Sequence, residues 1–307
     1  MSPILSIQNL SKNYGSVTAL NNVSFEVPKG SVYGILGPNG SGKTTLLGIV
    51  MDIVKATSGT YLWNGKPGSA EQRRLIGTLL ETPNFYHYLT GQQNLEIAAE
   101  IKNRSRSDID RVLKIVNLEQ RRHSKFNTYS LGMKQRLAIA STLLGDPDIL
   151  VFDEPTNGLD PAGIAEIRDL IRALNRQGKT IIMASHILDE VEKVCTHVTI
   201  IQKGVLKTSG SVESVLNTSP ATETAIQEIE ISAASKTDLK SILAELPSIQ
   251  SISETAQGLI INCDKSLSPA DINQFCFNKG IVLSHLNLRK INLEKRFLEI
   301  TGNQSDR

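Results

Sequence analysis

The sequence is short of cysteine, of aromatic residues, of net charge and of long apolar runs. Its three cysteines, Cys195, Cys263 and Cys276, are odd in number and far apart, which excludes a disulfide framework and leaves no paired spacing for a structural zinc site. Lys plus Arg number 33 and Asp plus Glu 31, a net charge of +2. That is far from the basic footprint of a dedicated nucleic-acid binder, so no nucleic acid is expected as a partner. The longest apolar stretch, at 46–54, falls well short of the roughly 18–20 residues that cross a bilayer, and it contains Asp52. The first residues show no basic segment followed by an apolar core, so the expectation is a cytoplasmic chain that reaches a membrane through a partner.

What is present is ordinary globular material: 40% hydrophobic and 21% charged residues, which argues against collagen and wholesale disorder. A length of 307 residues predicts two domains. Apolar β-type runs at 3–10, 21–27, 31–36, 148–152, 180–185 and 197–202 alternate, after a β-rich start, with helical patterns at 43–53, 91–103, 107–117, 131–145, 161–177 and 187–195. This is α/β patterning around a parallel sheet. Thr90 with Gln93 makes a capping-box pattern, and Asp160-Pro161 puts a carboxylate at a helix cap with proline at the first helical position. Asn64-Gly65 and Lys203-Gly204 predict hairpin turns, so antiparallel strands accompany the parallel sheet.

The polar, proline-bearing stretch 217–224 reads as a linker between a domain at 1–216 and a smaller one at 225–307. In the smaller domain, strands at 226–232, 248–253, 258–263 and 281–287 alternate with helices at 235–246 and 268–279. This is the β-α-β-β-α-β order of a ferredoxin-like α+β fold, with an added helix at 291–300.

Residues 37–45 read G-P-N-G-S-G-K-T-T, between an apolar run and a helical pattern. The spacing G-x-x-x-x-G-K-S/T in that context is a phosphate loop. Its candidate nucleotide-binding residues are Gly37, Pro38, Asn39, Gly40, Ser41, Gly42, Lys43, Thr44 and Thr45. Glycines turn successive backbone N–H groups onto phosphate oxygens, Lys43 reaches the β and γ phosphates, and the Thr44 hydroxyl suits Mg²⁺. Residues 148–154, D-I-L-V-F-D-E, end a buried-type strand in two carboxylates, where ligands bind in open parallel sheets. Asp153 is the candidate metal ligand and Glu154 the candidate base that deprotonates an attacking water.

Between and after these motifs come Y-S-L-G-M-K-Q-R at 129–136, P-T-N-G-L-D at 155–160 and Ser185-His186. The ordered set resembles the nucleotide-binding subunit of an ABC transporter, over roughly residues 4–216. The form Y-S-L-G-M-K-Q resembles an exporter subgroup related to bacitracin resistance and lantibiotic immunity. The resemblance implies a P-loop ATPase domain with an antiparallel β subdomain and a helical subdomain, using ATP and Mg²⁺. It implies γ-phosphate contacts from Ser130 and Gly132, a catalytic switch histidine in His186, a dimer-interface aspartate in Asp160 and an adenine-stacking ring in Tyr14. Ser130 and Asp160 are also explained as helix caps, and Tyr14 as an ordinary surface or core ring.

Where the family carries the glutamine of its Q-loop this chain has Glu81, a further metal-ligand candidate that adds negative charge beside Asp153 and Glu154. The family's active site is composite, and one copy of each motif implies a second ATPase subunit, in a homodimer or heterodimer, with an integral membrane permease as partner. The segment 84–90 lies where the family receives the permease, predicting an aromatic docking groove, or else a surface loop with a few aromatics packed under it. Two alternatives stand beside the exporter reading: an importer subunit, and a soluble ATPase of the same fold acting on ribosomes or DNA.

Overall fold

The computed structural model describes residues 3–80, 85–217, 226–289 and 292–302. By its contacts the chain divides into a first unit, Met1–Val215 with Leu293–Arg307, and a second, Leu216–Asn292. The first unit is built on a six-stranded sheet. Its strands run in the order Val205–Ser211, His197–Gln202, Val32–Leu36, Thr180–Ser185, Ile149–Asp153 and Ile76–Leu79. All neighbours are parallel except the edge strand Val205–Ser211, which pairs antiparallel with His197–Gln202. Ile149–Asp153 and Thr180–Ser185 are buried at every residue, as strands covered on both faces must be, and their uninterrupted apolar runs record it.

An antiparallel sheet, Val17–Pro28, Pro3–Tyr14, Ser58–Trp63 and Lys66–Pro67, stands beside it. Both predicted hairpins form, with φ of 50° and 73° at Asn64 and Gly65 and of 49° and 76° at Lys203 and Gly204. Two consecutive left-handed residues match the twist of the flanking strands. Trp63, fully buried, donates its indole N–H to the Val50 carbonyl at 3.0 Å, pinning this sheet to the end of the helix Lys43–Val50. That helix stops earlier than its sequence pattern suggests. Asp52 turns left-handed at φ 58°, and the Ile53 amide closes back on Gly48.

A helical layer contains Gly91–Ile101, Ile109–Ile115 and Leu131–Thr142. The expected capping box at Thr90 and Gln93 forms in both directions. Lys102 bridges two of these helices by donating to the Ser141 carbonyl at 2.6 Å, and burial, with Arg104 nearby, pulls its ammonium down to about 8.

The second unit has four strands, in the order Ile249–Glu254, Leu259–Asp264, Ile226–Ala233 and Leu283–Arg289, all paired antiparallel. The helices Lys236–Leu243 and Pro269–Asn278 supply Leu239, Leu243, Ile272 and Cys276 to a core with Ile229, Ile231, Leu259, Ile261 and Cys263. The helix Leu293–Thr301, which the sequence pattern assigned to a domain at 225–307, belongs to the first unit. The physical reason is a set of long-range bonds. Arg296, only 7% exposed, donates to the Val215 carbonyl at 3.1 Å, and Gln202 donates to the Thr301 carbonyl at 3.0 Å. Of the expected linker, Asn217 ends the helix Val212–Asn217, and 218–224 lie outside the described residues.

Two outcomes follow. Trp63→Phe keeps an aromatic ring but removes the donor to Val50, and is expected to cost about 1–2 kcal/mol, read from the urea midpoint by circular dichroism. Lys102 holds fewer protons folded than unfolded between about 8 and its ordinary 10.5, so its contribution to stability rises with pH across that window. Wild type should therefore gain stability relative to Lys102→Met between pH 8 and 10, read from paired urea titrations; parallel curves would contradict the burial of the charge.

Candidate functional site

The phosphate loop follows the buried strand Val32–Leu36 and opens the helix Lys43–Val50. Two glycines carry the bend, Gly40 at φ 77° and Gly42 at φ 106°. At Gly42 a Cβ would also stand 2.5 Å from the Ala19 carbonyl, so the loop admits no side chain there. Gly37 is closed in the same way, by the Ile201 carbonyl at 2.2 Å. Pro38 is half-buried, Asn39 and Gly40 are exposed, Thr44 is exposed and Thr45 half-buried. Ser41 is 2% exposed, and its carbonyl accepts the Gly204 amide at 3.0 Å while the Gly204 carbonyl accepts from Asn21 at 2.8 Å. The Lys203-Gly204 turn thus clamps the loop from a second hairpin, a role its turn signature alone does not disclose.

Lys43 is 6% exposed. Its ammonium donates to the carbonyls of Gly37 at 2.9 Å and Pro38 at 3.2 Å and lies 3.5 Å from Glu154 Oε1. Glu154 leaves the end of its strand at φ 48°, a left-handed conformation that costs a non-glycine residue about 1–3 kcal/mol and concentrates at functional sites. Its amide donates to the Ala184 carbonyl at 3.0 Å, and its Oε2 lies 2.8 Å from His186 Nδ1. With Nδ1–H donating to the carboxylate, Nε2 is the ring atom left to accept a hydrogen bond. His186 follows Ser185, fully buried, whose hydroxyl accepts the Ile187 amide at 3.1 Å and fixes the turn. Asp153, 8% exposed, precedes Glu154 on the strand.

The structure therefore joins the loop, the acidic strand end and the histidine into one cluster. Tyr14, Ser130, Gly132 and Asp160 lie on other elements, and among the described residues no hydrogen bond or ion pair links them to the loop. Ser130 caps the helix Leu131–Thr142, accepting the Met133 amide at 3.3 Å. A Cβ on Gly132 would meet nothing within 4 Å, so the helix start is open to approach. Asp160 caps the helix Pro161–Arg176 by accepting the Gly163 amide at 3.0 Å. Gly158, just before it, lies against Leu131, which brings the N-G-L-D loop beside the start of the Ser130 helix. Tyr14 is 48% exposed and carries the Lys12 ammonium 4.7 Å above its ring, a cation partner that the sequence did not flag. Glu81 lies outside the described residues.

The donor set fits Mg²⁺. A hydroxyl at Thr44 and a carboxylate at Asp153 are hard oxygen ligands for an ion that usually takes its remaining ligands from substrate phosphates and water. Among the described residues no cluster of three His, Cys, Asp or Glu forms a cage for a metal.

Near the segment 84–90, Phe85 and His87 pack edge-on against Phe126 at 5.2 and 5.6 Å, while Tyr86 and Tyr88 are 49% and 68% exposed. The adjacent groove, about 250 Å³, is lined by Leu89, Gln93, Glu96, Ile97, Glu100 and Arg106. Two of the rings of the segment thus turn under Phe126, while Tyr86 and Tyr88 pack edge-on against each other and remain exposed.

Comparison with known proteins agrees with this geometry. Residues 20–157 match a family described as ABC transporter. The chain is 36% identical to YhcH of Bacillus subtilis (strain 168), an uncharacterized ABC transporter ATP-binding protein, over 98% of this chain and 97% of that one. It is 35% identical to the bacitracin transport ATP-binding protein BcrA of Enterococcus faecalis, again over 98% and 97%. Among solved structures it resembles the dimeric ATP-binding cassette MJ0796 in a post-hydrolysis state with ADP and phosphate, with a TM-score of 0.60 and 27% identity over 67% of this chain and 98% of that one.

Replacing Lys43 with Ala removes the ammonium held against the loop carbonyls and is expected to weaken nucleotide binding by at least about tenfold, read by calorimetry. Unchanged affinity would contradict the cradle.

Proposed function

The chain belongs to the ATP-binding proteins of ABC transporters, and on that footing we propose that it binds and hydrolyses ATP at sites shared between two subunits, driving a separate integral membrane permease that exports its substrate. The observation that carries this reading is the convergence of Lys43, Glu154 and His186 on the phosphate loop. A second observation supports the shared site: the helix start at Ser130 and Gly132 is exposed or open and not bonded to its own loop. A hydroxyl and backbone N–H groups at a helix N-terminus suit the γ-phosphate of a nucleotide held by a second copy.

In this reading the backbone N–H groups of the loop and the Lys43 ammonium hold the phosphates, and Tyr14 stacks on the adenine. Thr44 and Asp153 would hold Mg²⁺, which when bound neutralises charge on the β and γ oxygens. Glu154 takes a proton from the attacking water as its oxygen bonds to the γ-phosphorus and the bond to the β-phosphate bridge breaks, giving ADP and phosphate. His186 orients the Glu154 carboxylate through Nδ1 and contacts the γ-phosphate side. ATP closes the dimer and hydrolysis reopens it, and that cycle moves the permease.

Export is the direction we favour, because a relative matched over nearly its full length is named for bacitracin transport. Tyr86 and Tyr88 offer exposed rings for the permease to cover, and attachment through it places the chain on the inner face of the membrane. No helix among the described residues is long and apolar enough to cross a membrane itself. We read the second unit, by its strand order, as a ferredoxin-like accessory module.

Glu154→Gln keeps the shape of the side chain but removes the base. With ATP it should accumulate as a dimer in size-exclusion light scattering, with hydrolysis lowered by about 100-fold or more. Wild-type turnover in this variant would falsify the role of Glu154.

A further inference from the structure

The helix Leu188–Val194 begins two residues after His186, so whatever fixes this helix fixes the histidine. It is held from three directions. Beneath it, Val191 presses on the phosphate-loop strand at Gly34, where a Cβ would stand 2.8 Å from the Val191 side chain. On one flank the helix Pro161–Arg176 grips it through Arg168 to Glu190 at 3.3 Å and through Arg172 to the Lys193 carbonyl at 2.6 Å. The third contact comes from the far end of the sequence. The half-buried Glu192 accepts the backbone N–H of Leu293 at 2.6 Å, at the first turn of the helix Leu293–Thr301.

This third contact is well built. Leu293 is fully buried, and a carboxylate at a helix N-terminus takes up an otherwise unpaired amide while facing the positive end of the helix dipole. The same helix is locked in turn by Arg296 on the Val215 carbonyl and by Gln202 on the Thr301 carbonyl. Its own anchors are therefore independent of Glu192, and it can act as a fixed post. None of these bonds serves the nucleotide directly.

We propose that Glu192 is a positioning residue for hydrolysis: by tethering the His186 helix to the terminal helix, it holds the imidazole on the Glu154 carboxylate. The terminal helix is then a working part of the ATPase, although about 100 residues of sequence separate it from the histidine. The inference rests on the reading of Glu154 and His186 as the hydrolytic pair.

The test uses the full chain. Glu192→Ala is expected to lower kcat for ATP hydrolysis about three- to tenfold with KM unchanged, and to lower the melting temperature by only a few degrees, so that the chain stays folded at the assay temperature. Glu192→Gln retains an oxygen that accepts the Leu293 amide and is expected to restore at least half of the wild-type kcat. An unchanged kcat in the alanine variant overturns the proposal. So does a loss of kcat that tracks the melting temperature without rescue by glutamine, which marks a support of the fold alone. A second readout separates failure of this inference from failure of the underlying reading. The chain has five histidines, so the His186 imidazole signal can be assigned by its disappearance in His186→Gln. In nucleotide-free protein that signal should move in Glu192→Ala and return in Glu192→Gln, whether or not the chain hydrolyses ATP. A signal that stays in place refutes the tether.

Discussion

The nucleotide end of this molecule depends on one carboxylate held between two groups of different kind. Glu154 faces the Lys43 ammonium with one oxygen and the His186 imidazole with the other. The Lys43 ammonium donates to two carbonyls of the loop and forms an ion pair with a Glu154 oxygen 3.5 Å away. That set of partners is what allows a lysine to be almost fully buried while charged. The left-handed backbone of Glu154 is the local cost of aiming its side chain back at the loop, offset by the Ala184 carbonyl that receives its amide. In the proposed role of Lys43, a phosphate would compete with groups already in place, so that binding would be an exchange of partners rather than the filling of a void.

The rest of the first unit serves that arrangement by removing freedom. The three central parallel strands, Val32–Leu36, Thr180–Ser185 and Ile149–Asp153, are buried throughout and end together, which places the loop, the acidic pair and the histidine turn at one edge of the sheet. The loop itself is held between Ala19 and the Gly204 turn. By contrast, the start of the Ser130 helix is left accessible: Leu131 is 52% exposed and Gly132 has open space before it. A preformed loop on one element and an open helix start on another is the division of labour that the proposed shared site would require, since one surface must be formed in advance and the other must be able to approach.

Local chemistry made much of this readable in the sequence. The phosphate loop, the Asn-Gly hairpin and the Thr90 box are short-range patterns whose geometry is set within a few residues, and the buried strands announce themselves by unbroken apolar runs. The helix after the loop reads too long because apolarity continues past Gly48, where the backbone closes on itself and Asp52 turns left-handed. The terminal helix reads as part of the second unit, and packs in the first, for a different reason. Its amphipathic pattern is plain, but a pattern does not say which surface it packs on. That is decided by Arg296 and Val215, 81 residues apart, and by Leu293 and Glu192, 101 apart. The clamp of Gly204 on Ser41 was hidden likewise, because a turn signature carries no information about its neighbours.

The first unit is not a continuous stretch of chain: it is left at Val215 and rejoined at Leu293, with Leu216–Asn292 folded in between. Such an arrangement resembles a loop that has grown into a module of its own while its two ends stayed fastened, here by Arg296 across the gap. Cutting the chain where the intervening module begins therefore removes more than that module: it also takes the helix Leu293–Thr301 from the first unit.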